Sequence, residues 1–271
     1  NDLSRLKDAL PPFSVRLAER ALKEEFGAEA GALFPPLGAP LAAASVAQVH
    51  RISTPEGPRA VKILRPGVER LIERELRAMK RAARLAETSG DPEVARLEPV
   101  AFVETMARSM RREMDLRLEA AAAHEFAEIA AVDGYVAAPE VDWERTSRRI
   151  LTTEWIAGRS LTDPAAVPPA LRAEYANRVT RGFLSSALDH GFFHADLHEG
   201  NMILAEDGRL VLVDFGIMGR IGPAERRFLA EIIAGFLARD YRRVSEVHFE
   251  AGYVPRDHSI EEFAQALRSV G

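Results

Sequence analysis

The chain has 271 residues, and its 36 lysines and arginines against 41 aspartates and glutamates give a formal net charge of −5. Hydrophobic residues make up 47% and charged residues 28%, a balance that excludes a disordered or collagen-like chain and allows a sizeable core in one large domain or two lobes. The acidic balance argues against a general nucleic-acid-binding protein, which needs a basic surface. The chain has no cysteine, which excludes a disulfide scaffold, a zinc-thiolate site and a cysteine nucleophile.

Signals for membranes and targeting are also absent from the sequence. No apolar run approaches the ~20 residues that a membrane-spanning helix needs, and no signal peptide is visible at the start. We therefore expect a cytoplasmic or peripheral membrane location. The chain begins NDLSRLKD without a methionine, which favours a piece of a longer protein.

The first half of the chain has the pattern of a β-rich lobe with helices inserted into it. Apolar spacing and Pro/Gly punctuation define its segments. The predicted elements are an amphipathic helix over 14–26, a connector over 33–40, a β-hairpin with a third strand position over 41–64, a charged amphipathic helix over 68–88 and one long helix over 100–132.

The second half reads as mainly helical, with a short hairpin near its middle. The predicted elements are strands over 136–141 and 149–155, a loop over 157–169, a helix over 170–190, short strands over 202–204 and 210–213, and helices over 222–271. We therefore expect an α+β chain whose β-rich lobe covers residues 1–156 and whose helical lobe covers residues 157–271.

The strongest chemical signal is the run HADLHEGN at 194–201, followed after a short hairpin by Asp214 in a D-F-G sequence. Phosphoryl transfer uses one carboxylate to orient the attacking hydroxyl, and an Asn and a second Asp to hold Mg²⁺. Asp196, Asn201 and Asp214 have this spacing, which matches the catalytic loop and D-F-G of protein kinases. Each residue alone would be typical of a turn or cap. Together they predict an ATP- and Mg²⁺-dependent site.

Two features upstream suit the same chemistry. Lys62 follows two apolar residues in a predicted strand, where its ammonium can contact nucleotide phosphates; the alternative is an edge-strand lysine in solvent. Residues 42–49 have the spacing of the kinase glycine-rich loop, with alanine at the glycine positions Ala42, Ala44 and Ala47. Because a Cβ makes positive φ unfavourable by ~1–2 kcal/mol per residue, we expect a stiffer loop.

These motifs together resemble the UbiB/ADCK family, the aarF-domain-containing atypical kinases. The motifs that carry the resemblance are AAAS at 42–45, AVK at 60–62, Glu113-Met-Asp115, HADLHEGN at 194–201 and DFG at 214–216. The resemblance implies a bilobal protein-kinase-like fold, with a C-lobe that we expect to be reduced or truncated. The family's K-x-G-Q motif and C-terminal membrane segment are not in the sequence, so we expect a trimmed kinase-like domain.

The resemblance assigns roles by position. It puts Asp196 at the catalytic-base position, Lys62 on the phosphates, and Asn201 and Asp214 on Mg²⁺. It also makes Glu119 the partner that pairs with Lys62.

Three other acidic residues bear on that assignment. Glu75, on the preceding helix, is a rival partner for Lys62. Glu113 and Asp115 look like the family's E-x-D pair. On one helix, Asp115 and Glu119 would share a face, whereas Glu113 would lie about 200° from Asp115. The alternative is that Glu113 and Glu119 belong to a solvated Arg/Glu face.

The nucleotide contacts implied by the resemblance lie in the first lobe and at its joint with the second. Thr153 would be the gatekeeper, and the backbones of Glu154 and Ile156 would bind the adenine. The residues expected around the nucleotide are, with these, Ala42, Ala43, Ala44, Ser45, Val46, Ala60 and Lys62.

The two histidines of the 194–201 run have structural interpretations. His194 at this position usually holds the loop through backbone hydrogen bonds, and His198 is typical of the family without a firm role. A zinc site made by His194, His198 and Asp196 is the alternative.

The expected function is that of an ATP/Mg²⁺-dependent atypical kinase or ATPase that supports quinone or isoprenoid-lipid biosynthesis at a membrane. The alternatives are a nucleotide-gated pseudokinase scaffold and a Ser/Thr protein kinase. Expected partners are ATP or ADP and enzymes of lipid or quinone-precursor synthesis, with no nucleic acid. We expect membrane association only in the full-length protein.

Overall fold

The computed structural model describes residues 11–44, 46–88 and 96–270, which form two compact units. The first unit contains the residues up to Ala127, Ala138–Gly158 and Val213–Gly216. The second contains Glu128–Ala137, Arg159–Leu212 and the residues from Ile217 onward. The DFG segment therefore belongs to the first unit, although it lies late in the chain.

A four-stranded antiparallel sheet forms the base of the first unit. Its strands, in spatial order, are β1 Ala42–Ala43, β2 Ala47–Thr54, β3 Gly57–Leu64 and β4 Ile150–Glu154. The predicted hairpin and the predicted strand over 149–155 are confirmed. In the central strand β3, Lys62 lies opposite Val49 on β2 and Leu151 on β4.

The N-terminal helices pack on this sheet. Helix α1 spans Val15–Phe26 and confirms the amphipathic prediction, and a short helix α2 spans Ala30–Leu33. Side chains from this segment and the sheet form one core cluster: Phe13, Ala18, Ala21, Leu22, Phe34, Leu37, Ile52, Val61, Ile63 and Ile150. Full burial of each large apolar side chain stabilises the unit by about 1.5–3 kcal/mol.

The predicted single helix over 100–132 is wrong, because the chain breaks it at residues 114–115. After α3, Val68–Glu87, the structure has α4, Pro99–Glu113, and α5, Leu116–Asp133. At the break, Asp115 Oδ1 accepts a hydrogen bond from Arg117 N, and Leu116 N donates to Arg148 O at 2.9 Å. Asp115 is thus an N-cap. It does not share a helical face with Glu119, contrary to our expectation.

The predicted strand over 136–141 is also wrong. This segment makes only isolated bridges, from Ala137 to Val211 and from Val141 to Thr153. Pro139 lies between them, and its missing N–H prevents a continuous ladder.

The second unit combines two small sheets with helices. Strands β5 Gly158–Ser160, β7 Met202–Ala205 and β8 Leu210–Leu212 form one sheet, and β6 Phe192–His194 pairs with β9 Met218–Arg220. The predicted loop over 157–169 therefore contains a short strand.

The helices of the second unit largely confirm the sequence prediction. They are α6 Arg172–Ser185, extended by a π-turn over Ser186–His190, and α7 Pro223–Leu237, α8 Tyr241–Glu250 and α9 Ile260–Arg268. Within the described ranges, no helix has both the length and the apolar character needed to cross a membrane.

Candidate functional site

An ion cluster in the first unit, partly open to solvent at Asp214, joins three residues that the sequence had singled out. Lys62 Nζ on β3 donates to Glu119 Oε1 and Oε2 on α5, at 2.8 and 2.9 Å. The same ammonium donates to Asp214 Oδ1 at 3.3 Å. Glu119 is only 8% exposed, so its carboxylate depends on Lys62 for compensation of its charge.

The rival partner Glu75 does not take part in this cluster. Glu75 is exposed on α3 and accepts hydrogen bonds from its neighbour Arg74. The implied pairing of Lys62 with Glu119 is therefore present, and the solvated-face alternative for Glu119 is wrong because its carboxylate is buried.

Burial and the charge of the paired residue shift the pKa values of Lys62 and Glu119 in opposite directions. Burial alone would lower the pKa of Lys62, but the negative charges of Glu119 and Asp214 outweigh it and raise that pKa. Burial raises the pKa of Glu119 against the opposing charge of Lys62, and the like charge of Asp214 raises it further. Lys62 is therefore charged at neutral pH, and two carboxylates share one ammonium.

The backbone at Asp214 is held in an unusual conformation. Its φ of 64° lies in the left-handed region, which costs a non-glycine residue of order 1–3 kcal/mol and is found where the surroundings impose it. Asp214 Oδ1 accepts from Gly216 N at 3.4 Å. Phe215 between them is buried, with its ring centroid 5.4 Å from that of Phe126.

Helix α5 thus contacts the DFG segment at two levels. Glu119 meets Lys62, which in turn meets Asp214, and Phe126 packs on Phe215. Phe126 was not among the residues predicted from the sequence. Its spacing of seven residues from Glu119, which puts both on one face of a helix, was the available signal.

The alanine-rich loop pairs along the sheet instead of adopting glycine-like backbone angles. Ala42 lies opposite Val49 and Ala43 opposite Gln48, and Ala44 N donates to Ala47 O at 2.8 Å. Among the described residues, the non-glycine residues with positive φ are Glu98, Asp214 and Arg239. The alanines therefore avoid the conformational strain that a Cβ would introduce.

The other residues expected around the nucleotide phosphates are Val46, Ala60 and Ser45. Val46 O accepts from Arg65 N at 2.7 Å, and Ala60 lies on β3 opposite Thr153. Ser45 lies outside the described residues.

The expected adenine-binding backbone follows β4. Glu154 N donates to Glu140 O at 2.8 Å, and Trp155 N to Pro58 O at 3.2 Å. The Ile156 side chain is buried. Arg51 lies over the Trp155 ring, 5.1 Å from its centroid, so Trp155 packs as part of the sheet surface.

The run 194–201 forms a tightly bonded loop in the second unit. The buried His194 Nδ1 accepts from Asp196 N at 3.2 Å, which confirms the loop-holding interpretation of His194. Asn201 Nδ2 donates to Asp196 O at 3.0 Å. His198 Nδ1 accepts from Gly200 N, and its Nε2 lies 3.8 Å from Asp196 Oδ2. The backbone of Asp196 is thus fixed on both sides, while its carboxylate is about half exposed.

The E-x-D pair lies at the junction of α4 and α5. Glu113 is exposed at the end of α4. The Asp115 carboxylate accepts from Arg117 Nε and Nη2 at 2.8 and 2.6 Å, and these hydrogen bonds lower the pKa of Asp115. Asp115 therefore holds the start of α5 through these bonds and its N-cap.

The donor atoms expected for Mg²⁺ have suitable chemistry. Asp214 provides a carboxylate, and Asn201 provides an amide whose nitrogen is engaged by Asp196 O, so its oxygen is the atom suited to a metal. Mg²⁺ prefers hard oxygen ligands of these two kinds. The donor atoms of each residue, taken separately, therefore suit the ion.

Comparison with known proteins identifies the family of the chain. Residues 5–248 match the family described as ABC1 atypical kinase-like domain. The chain belongs to this family. The ABC1 match and the fold described above establish a protein-kinase-like fold, as the resemblance implied.

Curated relatives carry the name "Probable protein kinase UbiB". The protein of Marinobacter nauticus is 34% identical over 277 residues, covering 99% of this chain and 50% of the relative. That of Aeromonas salmonicida is 35% identical over 282 residues, covering 99% and 51%, and that of Pseudomonas fluorescens is 32% identical over 280 residues, covering 100% and 52%. The chain thus spans about half the length of these relatives.

A solved structure is also similar. The complex of Rv3197 with erythromycin from Mycobacterium tuberculosis has a TM-score of 0.71 and 25% sequence identity, and the match covers 95% of this chain and 66% of that one.

Proposed function

We propose that this chain is the catalytic part of an ATP- and Mg²⁺-dependent phosphotransferase or ATPase of UbiB type. The observation that carries the proposal is the contact of the Lys62 ammonium with both oxygens of the buried Glu119 and with the half-exposed Asp214. A lysine fixed in this way presents a permanent positive charge at a defined place, as the α- and β-phosphates of a nucleotide require.

Each side chain of the site has a separate role in the proposed reaction. Lys62 binds and orients the phosphates, and Glu119 holds the Lys62 ammonium in position. Asp196, with its half-exposed carboxylate, accepts the proton of the attacking hydroxyl or water. Asp214 and Asn201 are the residues that would hold Mg²⁺, which supplies charge neutralisation on the phosphates when bound.

The pathway is a further part of the proposal. Relatives named UbiB cover the whole chain at 32–35% identity, which supports a role in quinone or isoprenoid-lipid biosynthesis at a membrane. The alanine-rich loop, which differs from the loop of protein kinases, favours an acceptor other than a general protein substrate.

A nucleotide-gated scaffold is the second candidate. One observation favours it: the Lys62, Glu119 and Asp214 cluster is complete within the first unit, whereas Asp196 belongs to the second. Nucleotide binding and turnover therefore use separable residues, and binding without turnover is chemically feasible.

An assay of phosphate release from ATP in the presence of Mg²⁺ distinguishes the enzyme from the scaffold. Replacement of a general base typically slows turnover by about 10²–10⁴-fold, so Asp196→Asn should lose turnover and keep its ATP dissociation constant. Asp257→Asn, in an exposed loop, is the matched control and should behave as wild type. Equal turnover by Asp196→Asn and wild type would contradict the assigned role. A wild type that binds ATP without turnover would favour the scaffold.

A further inference from the structure

Arg65, the residue after β3, connects the alanine-rich loop to the chain's N-terminal segment. Its Nη2 donates to Pro11 O at 3.2 Å and to Ala44 O at 3.4 Å. Its backbone N–H donates to Val46 O at 2.7 Å, and its guanidinium carbon lies 5.4 Å from the centre of the Phe13 ring. A single side chain therefore links a segment more than thirty residues upstream to the loop expected on the phosphates.

Gln48 fixes the same segment from the sheet side. Its Oε1 accepts from Phe13 N at 3.0 Å and its Nε2 donates to Phe13 O at 3.3 Å. Gln48 is fully buried on β2 and lies opposite Ala43 of the loop. Both backbone polar groups of Phe13 are thus held by one side-chain amide.

His50 defines the orientation of that amide. Its Nδ1 lies 3.0 Å from Gly38 O, which can only accept, so Nδ1 carries the proton. Its Nε2, 2.8 Å from Gln48 Nε2, is then the acceptor. Because His50 is completely buried, this polar network is rigid and the Gln48 oxygen faces Phe13 N.

Stability alone does not explain the arginine at position 65. Its Nε is buried without a hydrogen-bond partner among the described residues, and an unpaired buried donor destabilises a fold. The guanidinium is nevertheless placed where it reaches both Pro11 O and Ala44 O. The arrangement favours a role in positioning the loop.

We propose that Arg65 and Gln48 are positioning residues for nucleotide binding. With Pro11 and Phe13 they form what we call the N-terminal clasp, which holds the alanine-rich loop in one conformation before the nucleotide arrives. Preorganisation of this kind raises affinity because the ligand does not have to order the loop. The inference rests on the proposed function, since it assumes that the loop contacts the phosphates of ATP.

The test compares Arg65→Met with wild type in two measurements. Hydrogen exchange of the nucleotide-free protein reports on the loop, where Ala44 N is bonded to Ala47 O; we expect faster exchange at Ala44 in the variant. The dissociation constant of Mg²⁺-ATP should rise roughly 3- to 10-fold as preorganisation is lost. Arg51→Met is the matched control, because Arg51 lies on the same sheet with its guanidinium over Trp155, and it should change neither value.

A second variant addresses folding. Arg65→Lys keeps the charge and the aliphatic stem but lacks the planar fork that spans two carbonyl groups. It should show the same changes in smaller measure, with an unfolding temperature close to that of wild type.

Three results would overturn parts of the argument. Unchanged exchange at Ala44 in both folded Arg65 variants refutes the clasp. Faster exchange with an ATP affinity within twofold of wild type refutes its positioning role. A wild type that binds no ATP refutes the proposed function itself, and exchange in the nucleotide-free protein distinguishes that failure from a failure of the clasp.

Discussion

Replacement of Glu119 by glutamine tests the pairing on which the site depends. The substitution keeps the size of the side chain and one acceptor oxygen, but it removes the negative charge that faces Lys62 at 2.8 and 2.9 Å. Lys62 then keeps the charge of Asp214, at 3.3 Å, and its ammonium should shift toward that carboxylate and away from the phosphate position.

The expected magnitude follows from the bonds lost. Hydrogen bonds to charged groups contribute about 1.5–3 kcal/mol, which corresponds to roughly a 10- to 150-fold weaker ATP affinity at 1.4 kcal/mol per tenfold. Titration of each folded variant with Mg²⁺-ATP in a calorimeter measures the dissociation constant directly. Glu75→Gln, which changes an exposed glutamate on α3, is the matched control and should bind as wild type. A loss of affinity confined to Glu75→Gln would refute the assignment.

Three further predictions concern stability. The pKa of Glu119 is raised above its ordinary value of 4.5, so the folded state keeps a proton that the unfolded state has already released. The unfolding free energy of wild type, relative to that of Glu119→Gln, should therefore fall as pH rises from 4.5 through the raised pKa. A difference in urea midpoints between the two proteins that stays constant from pH 4.5 to 7 would exclude this. Asp115→Ala removes the N-cap of α5 and should lower the free energy of unfolding by about 1 kcal/mol, which lowers the unfolding temperature by about 2–4 °C. An unchanged unfolding temperature would mean that the cap is dispensable. Gly191→Ala should destabilise by more than about 1–2 kcal/mol, because φ is 70° and the new Cβ would lie 2.5 Å from Ile221 O; wild-type stability in denaturant would contradict that geometry.

The site residues with a fixed motif spacing could be predicted from the sequence. The loop-holding role of His194 follows from its place in a short motif, and the structure has that contact. The pairing of Lys62 with Glu119, which are 57 residues apart, was implied only by the family resemblance, and the structure has this contact as well. The amphipathic helix α1 was equally readable, because its apolar face follows the helical period.

The errors arose where a distant contact decided the local structure. The sequence around Met114 and Asp115 continues a helical pattern, and the break depends on a carbonyl of Arg148 that accepts from Leu116 N. The local sequence does not indicate this contact, because Leu116 and Arg148 are far apart in the chain. In the segment 136–141, valines suggested a strand, whereas Pro139 was the local signal that should have counted against it.

The clasp could not have been found from the sequence. Gln48 contacts Phe13 across 35 residues of sequence, and Arg65 contacts Pro11 across 54. Gln and Arg in or beside a strand have no pattern that would single them out, and only the folded arrangement of α1 on the sheet brings their partners within reach.

Thermal stabilisation by ATP, with and without Mg²⁺, tests the central claim most directly. A ligand that binds only the folded state raises its stability by about 2.7 kcal/mol at a hundredfold excess over the dissociation constant. We predict a Mg²⁺-dependent rise in unfolding temperature for wild type that Asp214→Asn abolishes. No rise for the folded wild type, or an equal rise for Asp214→Asn, would contradict the assignment of a nucleotide site built on Lys62, Glu119 and Asp214.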